Sequence, residues 1–159
     1  MIVFVLVLLA VSALVFFEFS HYQRAKSELR RKASVLSLLR LEMLLEQFAQ
    51  AHNGQYPAHA SAILETAATD LDLSHPSWPE QSGYVYVTGI RLSDEPATIV
   101  IYENVPERKR KLGFQVLRVS GKVDWLSQDD FAAALRDQEE RWSKKGRVWK
   151  PEEMVRAQR

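Results

Sequence analysis

The sequence predicts an α+β fold: a long N-terminal helix (membrane anchor plus amphipathic stem) packed on a small antiparallel β-meander, with a C-terminal helix. Three observations lead there. Residues 1–53 carry helical signals with no proline or glycine before Gly54. From Gly83 the apolar period changes to two, the signature of strands. At Ser127 a capping pattern restores the helix, with Asp130 three residues beyond.

The first segment, MIVFVLVLLAVSALVFFEF over 1–19, is interrupted only by Ser12 and Glu18. At ~1.5 Å per residue this is about the length an ~30 Å hydrocarbon core requires. A core helix of a small soluble protein would show a polar face, and this run has none. A secretory signal would carry a charged lead and finish in small residues, whereas Phe16, Phe17 and Phe19 stand at its end. Residues 1–19 are therefore expected to be a retained transmembrane helix, with the lipid bilayer as partner.

Residues 20–53 read as the stem. Arg24, Lys26, Arg30, Arg31 and Lys32 face a single acid, Glu28, at the level where lipid headgroups would lie. Further on, Leu38, Leu41, Leu45, Phe48 and Ala49 share one helical stripe, which needs a surface to cover. Leu36, Leu39 and Met43 form a second apolar patch on another side, and these three are the expected assembly contacts. Asn53-Gly54 ends the helix, glycine tolerating the left-handed cap, and His52 sits where the helix dipole favours a cation.

The domain expected over 54–145 opens with Gln55-Tyr56-Pro57, where Pro57 forbids helix through Tyr56. Residues 60–71 read as a short helix with Ile63, Leu64, Ala67 and Leu71 inward, and SHPSWPEQSG as a loop. Strands follow at 83–90, 97–103 and 114–119, the second being the most apolar and so central. Glu107 to Lys111 is a charged loop tip, and Ser120-Gly121 makes a tight link to a last strand at 122–125. A helix from Ser127 to about Lys145 turns Phe131, Ala134, Leu135 and Trp142 toward the sheet. The tail, 146–159, is charged and weakly specified, and disorder is one expectation for it. Pro151-Glu152-Glu153 has the pattern of one last helical turn, and Trp149 is its candidate for docking.

Composition narrows the chemistry. After an anchor, 159 residues leave room for one modest domain. A net charge of +1 with 26% charged residues points to neither nucleic acid nor a polyanionic partner. With no cysteine, disulfides and thiolate chemistry are excluded. The four histidines lack metal-ligand spacing, and Asp129-Asp130 is accounted for by capping. No phosphate loop or nucleophile elbow occurs, and nothing near Ser120 would serve as its base. The chain is not expected to be an enzyme, to hold a cofactor or metal, or to take a small-molecule substrate.

An apolar helix running into an amphipathic stem, then Asn53-Gly54-Gln55-Tyr56-Pro57 and a small sheet, resembles type IV pilins and type II secretion pseudopilins. The positions that carry the resemblance are Gly54, Tyr56 and Pro57, Tyr84, Tyr86 and Gly89, Tyr102-Glu103, and Gly121, Val123 and Trp125 in the last hairpin. That hairpin usually reads Asp-Gly-His-Val in a large pseudopilin-like group, and here it reads Ser-Gly-Lys-Val. The family's Gly/Phe processing site and early helix glutamate have no match, Glu18 standing at the far end of the apolar run. The resemblance implies a single-pass structural protein of the inner membrane, its C-terminal domain on the extracytoplasmic side. It also implies partnership with other pilin-like subunits, or with itself, through the N-terminal helix. Against that placement, the cations following residue 19 favour a cytoplasmic domain by the positive-inside tendency, and the resemblance is followed here. The alternative is a monomeric membrane-tethered adaptor that captures a soluble partner.

Overall fold

The computed structural model describes residues 2–66, 74–75, 78–148 and 150–154; among these, several side chains within helices and strands, including all of 2–15, lie outside the description. In chain order the elements are α1 (Ile2–Ala51), α2 (Ala60–Thr66), β1 (Ser74–His75), β2 (Trp78–Ser82), β3 (Tyr84–Thr88) and β4 (Ile99–Glu103). A 3-10 helix (Glu107–Leu112) follows, then β5 (Phe114–Arg118), β6 (Val123–Leu126), α3 (Gln128–Lys144) and β7 (Lys150–Glu153). The chain divides into two compact units, Met1–Ala33 and Ser34–Arg159.

The expectation of a membrane anchor is corrected. Among the described residues no helix is long and apolar enough to cross a membrane. The physical reason is visible from Phe16 onward, where Phe16, Phe17, Phe19 and Tyr22 are broken by Glu18, His21, Arg24, Lys26 and Glu28. A charge at the centre of a bilayer-spanning helix is unfavourable by about 2.5–3.5 kcal/mol on insertion scales. The run 1–15, on which the anchor expectation chiefly rested, lies outside the described side chains. Within the first unit, Ser20 donates back to the Phe17 carbonyl at 2.8 Å, and the Phe17 and His21 rings meet edge-on at 4.5 Å.

The second unit is an antiparallel five-stranded sheet, ordered β6-β5-β4-β3-β7, with β4 at its centre. Because side chains alternate across a strand, each register pair assigns a face. Tyr84 and Tyr86 lie opposite Glu103 and Ile101, and Ile101 lies opposite Leu117. That face packs on Leu38, Leu41 and Leu45 of α1, all buried, with Ile63 of α2 closing one side. On the other face Val85 lies opposite Tyr102 and Tyr102 opposite Val116. There Phe131 of α3 stacks on Phe114 at 4.1 Å and meets Tyr102 edge-on at 5.0 Å.

Other sequence expectations are adjusted in detail. Ser127 caps α3, its hydroxyl accepting from the Asp130 N–H at 3.2 Å. The charged loop tip is wound into the 3-10 helix, and the segment expected as a loop around Trp78 contributes β1 and β2, paired antiparallel as a separate ribbon. Of the inward residues assigned to the second helix, Ala67 and Leu71 lie outside the described residues, as does Trp149. Pro151-Glu152-Glu153 is not a helical turn: it is the body of β7, which pairs with β3. Pairing along an existing strand edge supplies hydrogen bonds that an isolated turn of helix lacks, and tertiary context overrides so weak a helical signal.

Candidate functional site

The residues that carried the family resemblance, apart from Tyr102 on the opposite face of the sheet, fall into three places. Asn53 and Gly54 both take positive φ, 55° and 76°, and turn the chain out of α1. The turn is then tied to the end of β3: the Leu92 N–H donates to the Gly54 carbonyl at 2.9 Å, and the Tyr56 N–H to the Ile90 carbonyl at 3.3 Å. Buried Tyr86 donates its hydroxyl to the Pro57 carbonyl at 2.7 Å, and burial with the nearby Tyr56 and Glu152 pushes its pKa well above the ordinary tyrosine range. Gly54, Tyr56, Pro57 and Tyr86 thus form one structural corner, and Gly89, at φ 79° where β3 ends, gives its carbonyl to Arg147 instead. The corner ties the C-terminal end of α1 to β3.

The second place is a buried polar cluster where α1 enters this unit. Ser34 donates to a carboxylate oxygen of Glu103 on β4 and lies 3.4 Å from the Tyr84 hydroxyl on β3. The other Glu103 oxygen accepts the Gln115 N–H of β5 at 2.8 Å. The Gln115 side-chain amide nitrogen is buried beside these groups without a hydrogen-bond partner. Tyr84 and Glu103 therefore act through α1 placement, each strand contributing one polar group to the same helix contact. Among the described residues no three or more His, Asp or Glu gather in the manner of a metal site.

At the third place, Gly121, Val123 and Trp125 shape the β5–β6 hairpin. Gly121 takes φ 75° close to Glu42 of α1, whose carboxyl is raised above its usual pKa by burial and by Glu46. Trp125 is 46% exposed at the β6 edge, its ring lying across Gly113.

Within the second unit, two surfaces among the described residues are open. The first is on α1: Leu36, Leu39 and Met43 are 61%, 39% and 58% exposed, while Leu38, Leu41 and Leu45 between them are buried against the sheet. Spacings of three and four place the exposed trio on one face of the helix, away from the buried stripe. The second is a groove of about 630 Å³ on the opposite side of the sheet, floored by Val85, Tyr102, Phe114 and Phe131 and walled by α3 and β7. Tyr102 is raised above the usual tyrosine pKa by burial, which prevails over the lowering effect of nearby Arg110.

Sequence reasoning missed the groove, because its walls come from strands and helices far apart in the chain. It also missed Gln138, which is buried and clamps Ile99: its side-chain oxygen accepts the Ile99 N–H at 2.8 Å and its amide donates to the Ile99 carbonyl at 3.0 Å. The signal was present, since 138 continues the inward stripe of 131, 134, 135 and 142. The Asp94–Arg147 pair, 2.9 Å between Oδ2 and the guanidinium, had none. No family model, curated protein or solved structure matches the chain.

Proposed function

We propose that the protein is a pseudopilin-like structural subunit of a type II secretion or type IV pilus-like system, which works by packing the exposed face of α1 against a neighbouring subunit. The observation that carries this reading is the pair of opposed stripes on α1. One is consumed by the protein's own sheet, and Leu36, Leu39 and Met43 on the other have no such cover. Three large apolar side chains aligned on a helix, each more than a third exposed, are the usual mark of a helix-to-helix contact. The polar cluster at Ser34 and the corner at Tyr86 support it, because they hold α1 rigidly and so fix the direction in which that face points. No membrane span enters the proposal; a location at the inner membrane with the sheet domain outside the cytoplasm does, and a reporter fused after Arg159 tests it.

The decisive experiment places a photo-cross-linker at position 39 and probes the assembled system. Cross-links to a pilin-like subunit, or to a second copy, are expected, together with their loss in the triple variant Leu36→Asp, Leu39→Asp, Met43→Asp. That variant should keep its circular dichroism and its urea midpoint, because the three side chains contribute little to the core. Unchanged cross-linking in the triple variant would sink the reading. A second reading, an adaptor that captures a soluble partner, is favoured by the open groove beside α3; it would give no cross-links from position 39 and a partner at the groove instead.

A further inference from the structure

The register of β7 carries an inference independent of the α1 surface. In an antiparallel pair, hydrogen-bonded and non-bonded residues alternate. The Met154 N–H donates to the Tyr84 carbonyl at 3.0 Å, so Met154, Glu152 and Lys150 direct their backbone groups to β3. Pro151 and Glu153 direct theirs to the open edge of the sheet. Pro151 has no N–H to present there, which blunts the edge without a lost bond to β3.

This strand is lightly held. Lys150, Pro151 and Glu153 are exposed, and among the described residues Met154, just beyond the strand, is its only buried apolar anchor. The rest of its hold is polar. Arg147 leads into it, paired with Asp94 and donating to the Gly89 carbonyl, and Glu152 accepts from the Ala60 N–H and lies near His59, both at 3.2 Å. The His59–Glu152 pair, with His59 exposed, stabilises little, whereas the Asp94–Arg147 pair is largely buried, so its loss should loosen the strand.

Nor does the strand suit what it covers. Pro151 and Glu153 point to the face where Val85, Tyr102, Phe114 and Phe131 floor the groove of about 630 Å³. Opposite Val85 stands a carboxylate, Glu153, close enough to Tyr102 on the groove floor to act on it electrostatically. The rim of the groove also carries Arg110, Arg136 and Glu139, while the floor on the strand's side, Val85 with Tyr102, is apolar and left unfilled.

We propose that β7 is an exchangeable edge strand, and that β3 with the groove beneath it forms an acceptor site for an extended segment of a different protein. The incoming strand runs antiparallel to β3, with an apolar residue opposite Tyr84 and a large apolar or aromatic residue opposite Val85, where it enters the groove. A second copy of this chain does not meet that requirement, since its own strand carries Glu153 at the position.

The test uses the full chain and a fluorescein-labelled synthetic peptide of residues 147–154 carrying Glu153→Trp. Anisotropy should show binding to the wild-type chain, tightened at least tenfold by Arg147→Ala or by Glu152→Ala, either of which loosens the resident strand. The full-chain variant Glu153→Trp, filling the groove from within, should weaken peptide binding at least tenfold. Amide exchange separates exchange from unfolding: in the loosened variants without peptide, Tyr86 and Thr88, bonded to β7, should exchange faster, while Val85 and Val87, bonded to β4, should not. No binding to any variant, equal binding to all of them, or loss of protection at Val85 and Val87 as well would overturn the proposal.

Discussion

At Gly113 the backbone takes φ 82° and ψ −173°, a region that residues with a Cβ essentially do not enter. A Cβ there would also lie 2.4 Å from a Trp125 ring carbon and 2.5 Å from the Leu126 carbonyl oxygen. The second contact is with backbone and cannot swing aside. Gly113→Ala should therefore lower unfolding stability by about 3 kcal/mol or more in urea titration, strain and clash adding. Gly146, at φ 66° with no atom within 4 Å, isolates the backbone term, and Gly146→Ala should lower it by only about 1–2 kcal/mol. Equal losses at the two sites would refute the clash argument. Gln138 makes a different kind of demand. The β4–β5 ladder shifts register between Ile99 and Ile101, and the Gln138 amide satisfies both backbone groups of Ile99. Gln138→Leu keeps much of the volume but leaves a buried N–H and a buried carbonyl unpaired, so a loss of about 2–4 kcal/mol is expected.

Among elements, β7 shows how a strand can be set by its neighbour alone. The segment KPEE has no apolar alternation, two acids and a proline, so nothing in it predicts a strand; its conformation comes from the unpaired edge of β3. The same holds for WPEQS in β2, which reads as a loop until its partner is seen. By contrast, the buried stripe Leu38, Leu41, Leu45, Ala49 and the strands β3 to β6 were legible, because each carries its own period. Of the interaction surfaces, Leu36, Leu39 and Met43 were visible for that reason, and the groove was not. The phase of β7 leads to a prediction about solubility. Pro151→Val adds an outward N–H and a β-branched residue to the sheet's exposed edge without touching a bond to β3. Light scattering should show concentration-dependent association of the variant, with the thermal midpoint little changed. A variant as monodisperse as the parent would mean that the edge is protected by other means.

For the whole molecule, the titrating groups define a stability window. Burial alone would raise Asp94 and Glu152. In Asp94 it is outweighed by hydrogen bonds from Arg147 and the Arg91 N–H, in Glu152 by those from the Ala60 N–H, His59 and Lys150. Asp124 is lowered chiefly by Lys122, then, against some burial, by Arg118. A carboxylate whose pKa is depressed on folding stabilises above its unfolded value, near 4, and loses that contribution as pH falls through the folded one. Glu42 works the other way: burial and Glu46 raise it, so its neutral form favours folding in acid and partly offsets the loss. At the alkaline end, burial raises Tyr86, Tyr56 and Tyr102. Their contribution is complete below the unfolded tyrosine value, near 10, and declines as pH rises beyond it, because only the unfolded chain then ionises. The urea midpoint should thus be nearly flat between about pH 5 and pH 9, falling on both sides. Arg147→Ala should flatten the acid limb, since Asp94 loses the partner that depresses it, and should leave the alkaline limb in place. An acid limb of unchanged steepness in that variant would mean that the Asp94–Arg147 pair does not contribute to stability at neutral pH.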